Sequence, residues 1–222
     1  MTQTPFTAPG SWVPGAVSSG FDLDNLPYGV ARIGAGQAAG YAIVNAIGDY
    51  ALNLHSAAKA GLLMVGPHTL AALSAPDLNA LLAAPRAAHK KLRQQVQALL
   101  AAETGREALR PHLLARRDLS LACPLNPGDF IDFYASYHHA VRSMKAAGIP
   151  DAEPAKNWFS LPVGYHSRTA SLLGPKAQIL RPRGQIRSPE GSVLTPTRSL
   201  DFEVEIGFVL RGSTPHGHHI RP

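Results

Sequence analysis

Three kinds of periodicity follow one another along the chain. Residues 29–33, 39–46 and 50–54 are short β-type runs, and Ile47-Gly48-Asp49 reads as the hairpin turn joining the last two. Short strands with tight Gly turns predict a small barrel or meander. From Ser56 the pattern turns helical. Residues 56–63 and 67–73 form short helices, Asp77 caps one over 78–83, and Pro85 opens the longest, to about Glu103. There Leu92, Val96, Leu99 and Leu100 make an apolar stripe, with Lys90, Lys91, Arg93 and Gln94 facing out. Residues 109–117 read as helix and turn. Cys123-Pro124-Leu125-Asn126-Pro127-Gly128 then interrupts all periodicity, which predicts a boundary near 120–127.

The second region opens on Asp129-Phe130-Ile131-Asp132-Phe133-Tyr134, continues through a helix over 136–147 and a loop over 148–156, and then becomes short strands separated by turns. It closes on residues 200–210, where every even position is apolar and Asp201, Glu203 and Glu205 are odd. Successive strand residues point to opposite faces, so this run predicts a strand with one greasy face and one carboxylate face. Same-face neighbours stand roughly 6.6 Å apart. No Lys or Arg relieves the acidic face locally. A hard divalent cation held by oxygen ligands would do so; a solvated polar face is the other reading.

A metal would need a third oxygen ligand, and Asp132, among Phe130, Ile131 and Phe133, is the best placed. It could equally cap the helix that follows. His139, about two helical turns on, could act as a general base beside a bound water, or be a surface histidine. His138 and His139 point apart on a helix, so at most one faces a given site. Tyr165, His166 and Arg168 carry the donors a carboxylate-bearing substrate needs, while Trp158, Phe159 and Tyr165 could simply pack under a loop. The tail His216-Gly217-His218-His219 has metal-binding composition, read as adventitious.

Composition narrows the function classes. At 222 residues and 45% hydrophobic, the chain can bury a real core. The net charge of +6 is spread over scattered Lys and Arg, which reads as solvated surface and not as a nucleic-acid footprint. Cys123 is the only cysteine, excluding an internal disulfide and a cysteine-rich zinc site, and it suits a reducing cytosol. Residues 1–20 read as a flexible lead-in without the features of a signal peptide, and the Ala/Leu runs stop short of a membrane span. The expectation is a soluble cytoplasmic protein with neither nucleic-acid nor membrane partners. G-x-S-x-G, P-loop and H-E-x-x-H motifs are absent, and Gly34-Ala35-Gly36-Gln37-Ala38-Ala39-Gly40 departs from G-x-G-x-x-G at the last glycine.

Several motifs together resemble the fumarylacetoacetase family: Asn25-Leu26-Pro27-Tyr28-Gly29-Val30, Asp132-Phe133-Tyr134 with His139, Asn157-Trp158, Leu161-Pro162-Val163-Gly164-Tyr165-His166 with Arg168, and Asp201-Phe202-Glu203-Val204-Glu205. They follow the family's order from about Phe21 to Leu210. The resemblance implies a β-rich α+β fold: an SH3-like N-terminal barrel with helices over 21–122, then a partial mixed β-roll catalytic domain over 123–222. It implies hydrolysis of the carbon–carbon bond of 4-fumarylacetoacetate, a diketo acid, to fumarate and acetoacetate in tyrosine and phenylalanine breakdown. It also implies Mg²⁺ or Ca²⁺ on Asp132, Glu203 and Glu205, His139 as general base, and Tyr134 and Tyr165 at the substrate. Full-length family members are expected as homodimers. Two departures stand out. Gly148 occupies the place of a substrate-binding Arg, and Pro222 falls at roughly half the family's usual length. On that pattern a further metal carboxylate, a Lys and oxyanion-stabilising groups would be missing, and residues 211–222 no longer follow the family. An inactive fragment serving at most as a binding module, or a sister decarboxylase or hydratase, are the alternatives.

Overall fold

Strand pairing in the main sheet starts from a two-residue turn. Gly48 and Asp49 join β2 (Gly40–Ile47) to β3 (Tyr50–Asn53), with Ile47 opposite Tyr50. Gly48 has φ +52°, and a Cβ there would lie 2.2 Å from the Pro14 carbonyl oxygen, so only glycine fits. Arg116 ties the same turn down. Its backbone N–H donates to the Asp49 carbonyl at 2.9 Å, its side chain donates to the Gly48 carbonyl at 2.6 Å, and its guanidinium lies 3.7 Å over the Phe21 ring. The computed structural model describes residues 10–17, 19–34, 39–212 and 214–219. Most of the G-x-G-x-x-G-like stretch therefore lies outside the described residues.

β1 (Tyr28–Ile33) pairs with the other edge of β2, and β4 (Leu113–Ala115) and β5 (Ser120–Leu121) complete an antiparallel sheet in the order β4-β3-β2-β1-β5. The three strand runs read from sequence are thus present within a residue or two. Residues 109–117 differ from the helix and turn expected. α5 (Arg106–Leu109) and a 3₁₀ turn over Arg110–His112 give way to β4, which pairs with β3. Three residues are too few to display a period of two, and only the open edge of β3 makes them a strand.

The central strands are buried on both faces. Ile43, Ile47 and Leu52 enter the main core, which is closed by Leu54, Leu63, Leu73 and Leu81 and by the stripe Leu92, Val96 and Leu100. Ala31, Ala42, Val44 and Ala51 form a second, smaller cluster with Ile33 and Leu119. Asn45, buried among these strands, donates from Nδ2 to the Leu26 carbonyl at 3.0 Å, so its amide is not stranded.

Helices cover the main core. α1 (Leu54–Lys59) starts where Asn53 Oδ1 accepts the Ser56 N–H at 3.0 Å. α2 (Pro67–Ala72) carries proline in its first turn, and Asp77 receives the Asn79 N–H at the start of α3 (Asn79–Leu82). α4 (Arg86–Ala101) buries the predicted stripe, with Leu99 only half-buried. Its polar side straps loops: Arg93 donates to the Asp24 carbonyl, Gln97 to the Leu23 carbonyl at 3.0 Å, and Gln95 accepts the Met64 N–H at 2.7 Å. Of the lead-in, residues 1–9 and 18 lie outside the described residues. Part of the rest is anchored. Val13 and Ala16 are buried, and Ser11 Oγ donates to the Leu100 carbonyl at 2.7 Å. A few apolar positions among the Pro and Gly suffice to dock it.

The described chain divides into two compact units, Leu125–Leu173 and the remainder on either side. The first holds β6 (Ile131–Phe133), α6 (Tyr137–Ala146) and β7 (Gly164–His166), with β6 and β7 paired antiparallel. In the other, beyond the main sheet, β8 (Arg183–Ser188) and β9 (Gly191–Pro196) form a hairpin. Residues 201–211 adopt no regular structure, which corrects the predicted closing strand. None of the described strands pairs with them, and their apolar side chains stay exposed. No helix among the described residues is long and apolar enough to cross a membrane. The architecture is mixed α+β.

Candidate active site

Four of the six predicted site residues belong to the unit Leu125–Leu173. Asp132 on β6 stands directly opposite Tyr165 on β7, and opposed residues of an antiparallel pair share a face. Just past β6, the Tyr134 N–H donates to the Val163 carbonyl at 2.9 Å and prolongs the ladder. The Trp158 indole N–H donates to the Tyr134 carbonyl at 2.8 Å, a second tie on the same residue. Asp132 is half-buried, whereas Tyr165 is 59% exposed.

The chain then turns into α6. Ser136 is its N-cap, with Oγ accepting the His139 N–H at 3.3 Å. Ser136 therefore performs the capping that the sequence left open for Asp132. The His139 ring meets the Tyr134 ring edge-on, with centroids 6.0 Å apart and planes at 79°, and its Nε2 lies 3.4 Å from Ser143 Oγ. Tyr134 thus joins the Asp132–Tyr165 pair to the helix that carries His139. His138 diverges, as its spacing requires, and packs against Tyr137 at 5.8 Å.

Behind this row lies an aromatic cluster. Trp158 and Phe159 stack edge-on at 5.1 Å, and Tyr137 lies 6.2 Å from Trp158. The Tyr137 hydroxyl donates to Glu153 at 2.9 Å, and that bond to a carboxylate is the chief reason its phenol is pushed above the ordinary range. Trp158 and Phe159 thus pack against each other and Tyr137, although Phe159 stays 59% exposed, as Tyr165 does.

Sequence reasoning missed one pair. His166 Nε2 lies 2.7 Å from Asp129 Oδ1, and the same oxygen accepts the Phe130 N–H at 2.8 Å. The bond from His166 first, and the Phe130 N–H second, hold the Asp129 carboxyl below the usual carboxylate range. The signal was the placement of both residues beside the singled-out Asp132 and Tyr165.

Glu203 and Glu205 belong to the other unit, on the irregular segment. Both are exposed, as are their neighbours Phe202, at 81%, and Val204, at 90%. At the far end Arg211 donates to the Leu82 and Ala84 carbonyls, at 3.3 and 2.8 Å. Carboxylate oxygens are the right donors for a hard cation. Among the described residues, however, no three His, Cys, Asp or Glu side chains are gathered to hold a metal, those of the His-rich tail included.

Residues 24–124 match the fumarylacetoacetase N-terminal family model. The chain is 35% identical over 215 residues to fumarylacetoacetase of Oryza sativa subsp. japonica, covering 90% of this chain and 49% of that protein. It is 34% identical to the Caenorhabditis elegans protein over 218 residues, covering 91% and 50%, and 33% identical to the Mus musculus protein over 226 residues, covering 95% and 51%. The chain spans about half the length of these curated relatives. With its N-terminal domain matched and similarity running along nearly all of its length, the chain belongs to the fumarylacetoacetase family.

Proposed function

We propose that the chain works in the hydrolysis of the carbon–carbon bond of 4-fumarylacetoacetate, giving fumarate and acetoacetate in tyrosine and phenylalanine catabolism in the cytoplasm. The observation that carries this reading is the row Tyr165, Asp132, Tyr134 and His139, assembled within one unit by the β6–β7 register and the 6.0 Å ring contact. His139 is the general base that takes a proton from water. Tyr134 and Tyr165 donate hydrogen bonds to substrate oxygens. Asp132, Glu203 and Glu205 would hold Mg²⁺ or Ca²⁺. A cation bound there would supply Lewis-acid polarisation of the substrate's oxygens. The SH3-like and β-roll descriptions of the two domains, and a homodimeric assembly, belong to this same proposal.

Incubating the purified chain with fumarylacetoacetate and either cation, and following loss of the diketo chromophore, tests it. Turnover abolished by His139→Ala and by chelation supports the assignment. Turnover that survives His139→Ala removes His139 as base, and a wild-type chain inert with both cations leaves an inactive fragment as the better reading.

A further inference from the structure

We propose that Asp129 and His166 are positioning residues: their pairing sets the register of β6 on β7 and so keeps Tyr165 opposite Asp132. The inference rests on the function proposed above for Asp132 and Tyr165. His166 stands opposite Ile131, and Asp129 precedes Ile131 by two residues, so the pair is a diagonal cross-strand contact. By the period of two, it lies on the face of Ile131 and Phe133, while Asp132 and Tyr165 point to the other. It reaches the site only through the backbone.

The contact is short for an N–H···O bond, and it sits where the ladder needs help. The Ser167 N–H donates to the Phe130 carbonyl at 3.0 Å, so Asp129 and His166 flank the last rung. β6 and β7 share only the opposed pairs Ile131 with His166, Asp132 with Tyr165, and Phe133 with Gly164. A two-stranded pairing of that size is marginal in water. Ile131 and Phe133 are exposed, 50% and 57%, so little burial reinforces it. A slip of one residue would turn Tyr165 to the face away from Asp132. In so weak a ladder, one side-chain bond at the end decides between registers.

The test uses the isotopically labelled 222-residue chain. Backbone nuclear Overhauser contacts between Asp132 and Tyr165 are compared in wild type, His166→Ala, Asp129→Ala and Asp129→Asn, and the Tyr134–His139 ring contact reports that the rest of the unit is folded. The expected result is loss of the Asp132–Tyr165 contact in both alanine variants, with the ring contact kept, and recovery in Asp129→Asn, whose amide oxygen still accepts from His166. Unchanged contacts in both alanine variants would overturn the proposal. So would loss in Asp129→Ala without rescue by Asp129→Asn. Turnover is read separately. In an active chain kcat/KM falls roughly tenfold or more in the alanine variants and recovers in Asp129→Asn. A wild-type chain that keeps the register but turns over no substrate counts against the function proposed for the site, not against the positioning.

Discussion

β2 and residues 200–210 carry the same kind of signal in the sequence and end in different states. β2 has β1 along one edge and β3 along the other, and it is buried on both faces. The segment 200–210 alternates apolar and acidic positions more strictly, yet Phe202, Val204 and Ile206 are all more than four-fifths exposed and the backbone pairs with no described strand. Alternation states which side of a strand is greasy. It does not supply the neighbour that turns an extended segment into a strand, and backbone groups left unpaired by a sheet turn to side chains or water, as the Phe202 N–H does to Asp201.

The widest separation between the two regions is expected from truncation of a core side chain. Leu52 on β3 is fully buried against Ile43 and Ile47. Leu52→Ala should cost about 3–4 kcal/mol, measured as a lowered urea midpoint at unchanged slope. Next comes the turn. Gly48→Val combines a positive φ with a Cβ placed against the Pro14 carbonyl and the Ala16 N–H, so a loss of about 2–3 kcal/mol is expected in the same experiment. A loss below about 0.5 kcal/mol for either substitution would mean that the sheet is not the rigid half of the comparison.

A smaller effect is pH-dependent. Burial pushes the Tyr28 phenol above its ordinary value of 10.0, with Arg93 as the smaller, opposing influence. The sign follows from linkage. Above about pH 10 the unfolded chain ionises this tyrosine more readily than the folded one, so the contribution is complete below that pH and is lost as pH rises through the higher folded value. Urea unfolding at pH 9 and pH 11 should show the alkaline decline, and Tyr28→Phe should flatten it.

What the sequence made legible follows from the same distinction. The hairpin at Gly48, the stripe on α4 and the pairing-competent runs were readable because each is a local pattern whose partner lies close by in the chain. β4 was not, since Leu113–Ala115 becomes a strand only through the edge of β3, some sixty residues earlier. At the candidate site, Asp132, His139 and Tyr165 were singled out by the chemistry their residue types allow, and the family motifs added Tyr134 and the roles; periodicity found none of them. Their gathering depends on the pairing of residues 131–133 with 164–166, separated by α6 and a long loop. The Asp129–His166 contact escaped for the same reason: a diagonal across two strands has no signature in either strand alone.

The smallest effect falls on the segment itself. Phe208 is 87% exposed, and no core residue loses a neighbour when its ring is removed. Phe208→Ser should therefore leave the urea midpoint of the chain within about 0.5 kcal/mol of wild type. A large aromatic on a strict strand pattern would ordinarily cost several times more, because its face would lie in a core. If Phe208→Ser proves as damaging as Leu52→Ala, then residues 200–210 have found a partner strand in solution. The two regions would then differ in partner and not in kind. Glu203 and Glu205 would then share one face of that strand.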